Sequence, residues 1–123
     1  MKIGIIGLGY VSLPLARLFA TKYNVVGFDI NTQRVQELMS GKDNTLEIEN
    51  DVLKSVLITK DSDEVGLYCS SALDDLKECN YFIITVPTPV DKNNRPILTP
   101  LIKASETVGS VLKNGDIVIY EST

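Results

Sequence analysis

The stretch that decides the fold is KIGIIGLGYVS, residues 2–12, at the start of a chain of 123 residues. Residues 2–6 form a short apolar run, which predicts a buried β-strand. Gly7 and Gly9 follow that run, and the apolar spacing after them predicts a helix over about residues 11–23. A strand, a glycine-rich turn and a helix in this order are typical of a loop that binds a phosphate group.

The glycines and the start of the helix have separate expected roles in this loop. Gly7 permits the tight turn, and Gly9 lets the backbone come close to a pyrophosphate. The amides of Tyr10 and Val11 are expected to point at the phosphate oxygens, because the helix dipole favours negative charge at the N-terminus. Ser12 replaces the usual third glycine, and since serine is small we expect slightly wider packing rather than a lost site.

An acidic residue, Asp29, closes the second predicted strand, VVGFD at residues 25–29. It lies about 20 residues after the glycine loop, where a dinucleotide site has an acid that binds ribose hydroxyls. A carboxylate repels a 2′-phosphate, and no arginine lies immediately beside it, so the sequence favours NAD over NADP. Arg34, one turn into the second helix, is open to two interpretations: it covers the adenine or ribose edge, or it is a solvated helix residue.

Short apolar runs and amphipathic stretches alternate along the rest of the chain. Further strands are predicted at residues 67–70, 81–86 and 116–120, and a short helix at residues 51–57. Strands that alternate with helices form a parallel sheet that is covered on both faces. We therefore predict an α/β fold, a Rossmann-type doubly wound parallel sheet in three α/β/α layers, within a single domain.

Several residues predict where the helices begin and which way they face. Asn31 is expected to be the N-cap of the second helix, and Thr99 the N-cap of a later helix. Ser71 and Asp74 form a weak capping-box pattern for a short helix that runs through Lys77. The first helix is expected to bury one face, which carries Val11, Leu15, Leu18 and Phe19.

Composition and charge exclude several classes of function. The formal net charge is −4 without a basic cluster, so nucleic acid is not an expected partner. The apolar start is too short to span a bilayer, so we expect no membrane segment and a cytoplasmic location. Cys69 and Cys79 have no metal-ligand spacing and are expected to be reduced core thiols, with no metal bound. Asp61, Asp63 and Glu64 are expected to lie in a solvated turn.

Four segments of the sequence are distinctive in combination: GLGYVSLPLA (7–16), VVGFDIN (25–31), ITVPTPVD (84–91) and YEST (120–123). Together they resemble the N-terminal domain of the UDP-glucose/GDP-mannose dehydrogenase family. The resemblance extends over all 123 residues and is nearest to the bacterial branch that oxidises UDP-N-acetylhexosamines. It implies NAD as cofactor and a UDP-sugar, a UDP-N-acetylhexosamine or UDP-glucose, oxidised at C6 to the uronic acid with two NAD⁺. It also implies a role in surface polysaccharide synthesis and a homodimeric full-length protein.

The resemblance implies roles for individual residues. The pyrophosphate loop is matched by Gly7, Gly9, Tyr10 and Val11. Asp29 matches the acid that binds the ribose, and Arg34 lies where the family often places a basic residue near the adenosine.

The strand exit Val86-Pro87-Thr88-Pro89 and the last residue are also matched. The resemblance implies that Val86, Pro87 and Thr88 belong to the cofactor site, with Thr88 near the nicotinamide half; a rigid strand exit also explains the prolines. Thr123 matches a threonine that contacts the cofactor and helps to hold a catalytic water.

The family's nucleophilic cysteine, assisting lysine and asparagine lie in segments beyond these 123 residues. The resemblance therefore implies an N-terminal fragment of a longer enzyme, without the central helix and the C-terminal UDP-sugar domain, and inactive alone. Ser12 and Ile97 depart from the family pattern. Two alternatives remain open: another NAD-dependent dehydrogenase of the hydroxyacid type, and a non-catalytic NAD-sensing regulatory module.

Overall fold

The computed structural model describes residues 1–9 and 12–121 of the chain. Within these residues the strands form one parallel sheet in the order β3-β2-β1-β4-β5. The strands are β1 (Lys2–Ile6), β2 (Asn24–Phe28), β3 (Gly66–Ser70), β4 (Tyr81–Ile84) and β5 (Ile117–Tyr120). The helices are α1 (Ser12–Phe19), α2 (Thr32–Met39), α3 (Asn50–Val56) and α4 (Thr99–Val111), and a 3₁₀ turn lies at Leu73–Leu76. The chain winds outward from β1 in both directions, which confirms the predicted doubly wound fold.

Two apolar cores cover the two faces of the sheet. Helices α1, α2 and α3 pack on one face, and helix α4 packs with the 3₁₀ turn on the other. Strand β1 contributes to both cores because alternate side chains point to opposite faces: Ile3 and Ile5 lie in the first core and Ile6 in the second. This arrangement confirms the three α/β/α layers.

Helix α1 is shorter than expected and turns a different face to the sheet. It ends at Phe19, and its buried residues are Ser12, Leu13 and Ala16, whereas Leu18 is 58% exposed. The prediction of an inward Leu18 was therefore wrong. The short side chains of Ser12 and Ala16 allow the helix to lie close to the sheet, and Leu15 and Phe19 pack only at the margin of the core.

The helix-start predictions had mixed outcomes. Asn31 caps α2 as expected, since its side chain accepts the amide of Arg34 at 3.2 Å. Thr99 lies inside α4, whose N-cap is Leu98 without a side-chain hydrogen bond, so that prediction was wrong by one residue. The capping box was also wrong: Ser70, the last residue of β3, accepts the amide of Ala72 at 2.9 Å and anchors the 3₁₀ turn instead.

Both cysteines are free and buried in the core, as the sequence predicted. Cys69 lies in the first core and Cys79 in the second. Burial raises the pKa of Cys69 to about 12 and the pKa of Cys79 to about 11. Both thiols are therefore protonated at neutral pH. The acidic residues of the turn before β3 are exposed, as expected for a solvated turn; they are Asp61, Asp63 and Glu64.

Candidate functional site

The predicted site lies at the carboxyl ends of β1 and β4, where the chain direction changes between the two halves of the sheet. Gly7 follows β1 and donates its amide to the carbonyl of Phe28 in β2 at 2.7 Å. Thr85 follows β4 and donates both its amide (3.0 Å) and its hydroxyl (3.1 Å) to the carbonyl of Ile6. Sequence reasoning missed Thr85, which joins the exits of these two strands. Open α/β sheets bind their ligands in this crevice.

The two glycines of the loop are required for different reasons. Gly7 has a φ of +98°, and a Cβ there would lie 3.3 Å from Cγ1 of Val86, so the fold itself requires a glycine. Gly9 is exposed, and among the described residues beyond its chain neighbours no atom would lie within 4 Å of a Cβ there. The free space above its backbone is what a pyrophosphate needs in order to approach the loop closely. The residues therefore fit a dinucleotide at this place.

A buried side chain anchors the loop between the two glycines. Leu8 is fully buried, and its Cδ2 would lie 2.8 Å from a Cβ at Gly27, the fourth of the five residues of β2. Gly27 therefore leaves the room into which Leu8 inserts. Sequence reasoning missed this role, although a glycine inside a strand pattern is a recognised sign of close approach.

Asp29 lies one residue beyond β2 and is partly buried. Its Oδ2 accepts the amide of Leu8 and its Oδ1 accepts the amide of Asn31, both at 2.9 Å. A carboxylate has roughly four lone-pair positions, so these two bonds leave acceptor capacity on both oxygens. The side chain can therefore fix the glycine loop and still accept ribose hydroxyls.

Arg34 is not a solvated helix residue, so that interpretation was wrong. Its side chain is 11% exposed, and its Nε donates to the carbonyl of Leu8 at 2.8 Å. Its Nη1 donates to Oε1 of Glu37 and Oδ1 of Asp43, also at 2.8 Å each. The guanidinium therefore lies against the glycine loop, and its role toward an adenosine stays a prediction.

Asp43, in the segment after α2, is a functional candidate that sequence reasoning missed. Its side chain is fully buried and accepts hydrogen bonds from Arg34, from Thr45, and from the amides of Glu47 and Ile48. Burial alone would raise the pKa of Asp43, but the hydrogen bonds from Thr45, Arg34 and the backbone outweigh it and lower the pKa to about 2. Asp43 is therefore ionised beside the Arg34 guanidinium.

The strand exit after β4 continues into a small hairpin. Val86 packs against the second core, Pro87 is exposed and Thr88 is partly buried. Beyond them, Val90 and Pro96 form an antiparallel bridge, and the hairpin turn is fixed by Asp91, whose Oδ1 accepts the amides of residues 93 and 95. The loop is thus stiffened by hydrogen bonds as well as by its prolines, and the cofactor roles of residues 86–88 stay predictions.

Three predicted site residues, Tyr10, Val11 and Thr123, lie outside the described residues. In the part of the chain that the structure describes, no helix is long and apolar enough to cross a membrane. No group of three or more histidine, cysteine or acidic side chains that could hold a metal ion is found in residues 1–9 and 12–121.

The sheet order, the glycine loop after β1 and the acid after β2 together define a dinucleotide-binding domain of the Rossmann type. Comparison with known proteins identifies the family. The NAD binding domain of the UDP-glucose/GDP-mannose dehydrogenase family matches residues 1–123, so the chain belongs to this family. The cofactor of the domain is therefore NAD.

Individual relatives agree with this assignment. The chain is 53% identical over 123 residues to UDP-N-acetyl-D-glucosamine 6-dehydrogenase of Pseudomonas aeruginosa, and 49% identical over 122 residues to Protein CapL of Staphylococcus aureus. It superposes on UDP-D-ManNAc dehydrogenase from Pyrococcus horikoshii with a TM-score of 0.85 and 36% identity. The matches cover 99–100% of this chain, but only 27% of each of the two relatives and 28% of the solved chain. The chain thus spans about a quarter of the length of these proteins.

Proposed function

We propose that this chain is the N-terminal NAD-binding domain of a nucleotide-sugar 6-dehydrogenase. The complete enzyme oxidises C6 of a UDP-N-acetylhexosamine to a carboxylate with two NAD⁺. The single observation that carries the proposal is the identity of 53% to an enzyme named for this oxidation, over the whole chain. The geometry of the glycine loop supports it, because Gly9 leaves space for a pyrophosphate and Asp29 keeps free acceptor capacity.

The predicted site residues bind different parts of the cofactor. Gly7 and Gly9, with the amides of Tyr10 and Val11, bind the pyrophosphate. Asp29 accepts the ribose hydroxyls with the lone pairs that Leu8 and Asn31 leave unused. Arg34 lies beside the adenosine; Val86, Pro87 and Thr88 line the nicotinamide half; and Thr123 helps to hold the water that enters the product.

The oxidation needs a nucleophile that this domain does not supply. Two hydrides leave C6, one to each NAD⁺, and a water oxygen ends in the carboxylate. Covalent capture of the intermediate aldehyde by a thiolate separates the two steps and prevents its escape. Cys69 and Cys79 are buried with raised pKa values, so neither can attack a sugar. The domain alone therefore binds NAD without turning over a sugar.

The proposal extends to the setting of the complete enzyme. A UDP-sugar is its substrate, and the full-length protein is a homodimer, as in the family. The name Protein CapL fits a role in capsule or other surface polysaccharide synthesis. We place the enzyme in the cytoplasm, where free thiols such as those of this domain stay reduced.

The experiment is a side-by-side assay of the complete enzyme with UDP-GlcNAc, UDP-ManNAc, UDP-GalNAc, UDP-glucose and GDP-mannose. We expect NADH fluorescence to rise fastest with a UDP-N-acetylhexosamine and to reach two NADH per sugar. The isolated 123-residue chain, as control, should bind NAD by calorimetry and release no NADH. One NADH per substrate, or turnover only of a hydroxyacid, would overturn the proposal.

A further inference from the structure

The Asp43 carboxylate accepts hydrogen bonds from two parts of the chain, helix α2 and the segment that follows Asp43. Its Oδ1 accepts Nη1 of Arg34 at 2.8 Å, and the amide and hydroxyl of Thr45 at 3.0 and 2.6 Å. Its Oδ2 accepts the amides of Glu47 and Ile48 at 2.9 and 3.1 Å. The side chain is fully buried, so it cannot touch a bound nucleotide. Any effect of Asp43 on the site must therefore pass through one of these partners.

Arg34 connects Asp43 to the glycine loop. The guanidinium donates from Nη1 to Asp43 and from Nε to the carbonyl of Leu8, both at 2.8 Å. The amide of Leu8 is bonded to Asp29. Leu8 is thus fixed at its amide by the acid after β2 and at its carbonyl by Arg34, and Gly9 follows it directly. The orientation of the Leu8–Gly9 peptide depends on the position of the guanidinium.

One nitrogen of the Arg34 guanidinium is unpaired, so the carboxylates of Asp43 and Glu37 are its only charged partners within the described residues. Its Nη2 is buried and has no hydrogen-bond partner within residues 1–9 and 12–121. Glu37 is the weaker anchor, because its side chain is 20% exposed and also accepts the amide of Asn44. If Asp43 lost its charge, Nη1 of Arg34 would be poorly paired in addition to Nη2. A buried cation with two poorly paired nitrogens would favour a new position of the guanidinium.

We propose that Asp43 is a positioning residue for NAD binding. It holds the Arg34 guanidinium against the carbonyl of Leu8, and in this way fixes the backbone of Gly9 in the orientation that admits the pyrophosphate. The inference rests on the NAD-binding function of the domain. It assigns part of the cofactor affinity to Asp43, a side chain that is itself fully buried in the segment after α2.

The test replaces Asp43 with Asn in the complete enzyme. The NAD dissociation constant is measured by calorimetry. We expect Asp43→Asn to raise the Kd at least tenfold at a temperature where circular dichroism shows a folded protein. The matched control is Asp116→Asn, another buried carboxylate (4% exposed) that pairs with a lysine, Lys113, at 3.2 Å. Asp116 lies just before β5, at the end of the sheet opposite the candidate site. The Kd of the Asp116→Asn variant for NAD should therefore stay within twofold of the wild-type value.

A double-mutant cycle separates positioning from a merely structural role. Arg34→Lys keeps the charge but cannot donate to Leu8 and Asp43 from one planar fork. If Asp43 acts through Arg34, the double variant binds NAD no more weakly than Arg34→Lys alone. Effects that multiply, or an Asp43→Asn variant that is less stable but binds NAD normally, overturn the proposal. If the wild-type chain does not bind NAD, the proposed function itself fails, and this outcome is distinct.

A milder variant covers the case in which Asp43→Asn does not fold. Thr45→Val removes only the hydroxyl that anchors Oδ1 of Asp43, on an exposed residue. We expect a two- to fivefold higher Kd for NAD and a shifted amide resonance of Leu8 in the NMR spectrum. An unchanged Kd in both Thr45→Val and Arg34→Lys would overturn the proposal without any need for the Asn variant.

Discussion

The amide of Leu8 and the carboxylate of Asp29 are 21 positions apart in the sequence and form a hydrogen bond of 2.9 Å. The residue that the sequence pattern assigns to a ribose therefore also fixes the loop assigned to the pyrophosphate. The glycine loop and the acid after β2 look independent in the sequence, but this hydrogen bond joins them in the structure. Substitutions at Asp29 should thus affect both halves of the bound nucleotide.

The first prediction concerns Asp29→Asn. The amide group can present only one acceptor, so either Leu8 or Asn31 loses a charge-assisted bond, which contributes about 1.5–3 kcal/mol. We expect the Kd for NAD to rise about ten- to hundredfold and the preference over NADP to narrow, because the repulsion of a 2′-phosphate is lost. Titration calorimetry with both nucleotides measures this. Asp61→Asn, an exposed carboxylate in the turn before β3, is the control and should change neither value.

The second prediction compares alanine at the two loop glycines. Gly7→Ala should destabilise the fold by about 1–3 kcal/mol, because its φ is +98° and Val86 is close. Gly9→Ala should leave the free energy of unfolding within about 0.5 kcal/mol but weaken NAD binding about tenfold or more, since the added methyl lies where the pyrophosphate would approach. Urea unfolding and NAD titration of both variants give the answer. Normal NAD affinity in Gly9→Ala would contradict the assigned role.

The third prediction concerns the contact between Gly27 and Leu8. A methyl group at Gly27 would lie 2.8 Å from Cδ2 of Leu8, so Gly27→Ala should cost about 1–3 kcal/mol. Leu8→Ala removes a fully buried side chain and should cost about 2–5 kcal/mol. Because the alanine at one position fills space that the other vacates, the double variant should be more stable than the sum of the two losses implies. Simple additivity in urea unfolding would show that the two residues do not share the space.

The fourth prediction is a pH dependence of stability from Asp43. Its pKa is about 2 in the folded chain, against an ordinary value of 3.8, so the unfolded chain binds the proton more tightly. The stabilisation is fully present above pH 3.8 and is lost as the pH falls through 2. At neutral pH it amounts to about 2 kcal/mol. Unfolding of wild type and Asp43→Asn over this range should show a difference that shrinks toward acid pH; a constant difference would assign the effect to another group.

Local patterns predicted the elements whose cause is local. The β1–glycine loop–α1 order, the Asn31 cap and Asp29 follow from spacing and residue type, because a turn or a cap depends on a few neighbouring residues. The doubly wound parallel sheet follows from the alternation of strands and helices, whereas the strand order β3-β2-β1-β4-β5 is known only from the structure. The class of fold was therefore accessible from the sequence, together with the position of the candidate site.

Other features depend on contacts that exist only in the folded chain. The bond from Arg34 to Leu8 joins positions 26 apart, and the Gly27–Leu8 fit requires β1 and β2 to be neighbours. Asp43 resembles an ordinary polar loop residue until Arg34 is placed beside it. The exposed Leu18 shows the opposite error: an apolar residue at helical spacing is not buried when smaller neighbours allow a closer face to pack.

Because both thiols of this domain are buried, the folded domain should contribute no signal when cysteines are labelled chemically. Cys69 and Cys79 are 1% and 0% exposed, so an alkylating reagent cannot modify either one while the protein remains folded. In the complete enzyme that we propose, a cysteine that is labelled under native conditions would then lie outside residues 1–123. A peptide map of the labelled enzyme, with and without sugar nucleotide, would lead directly to its reactive sulfur.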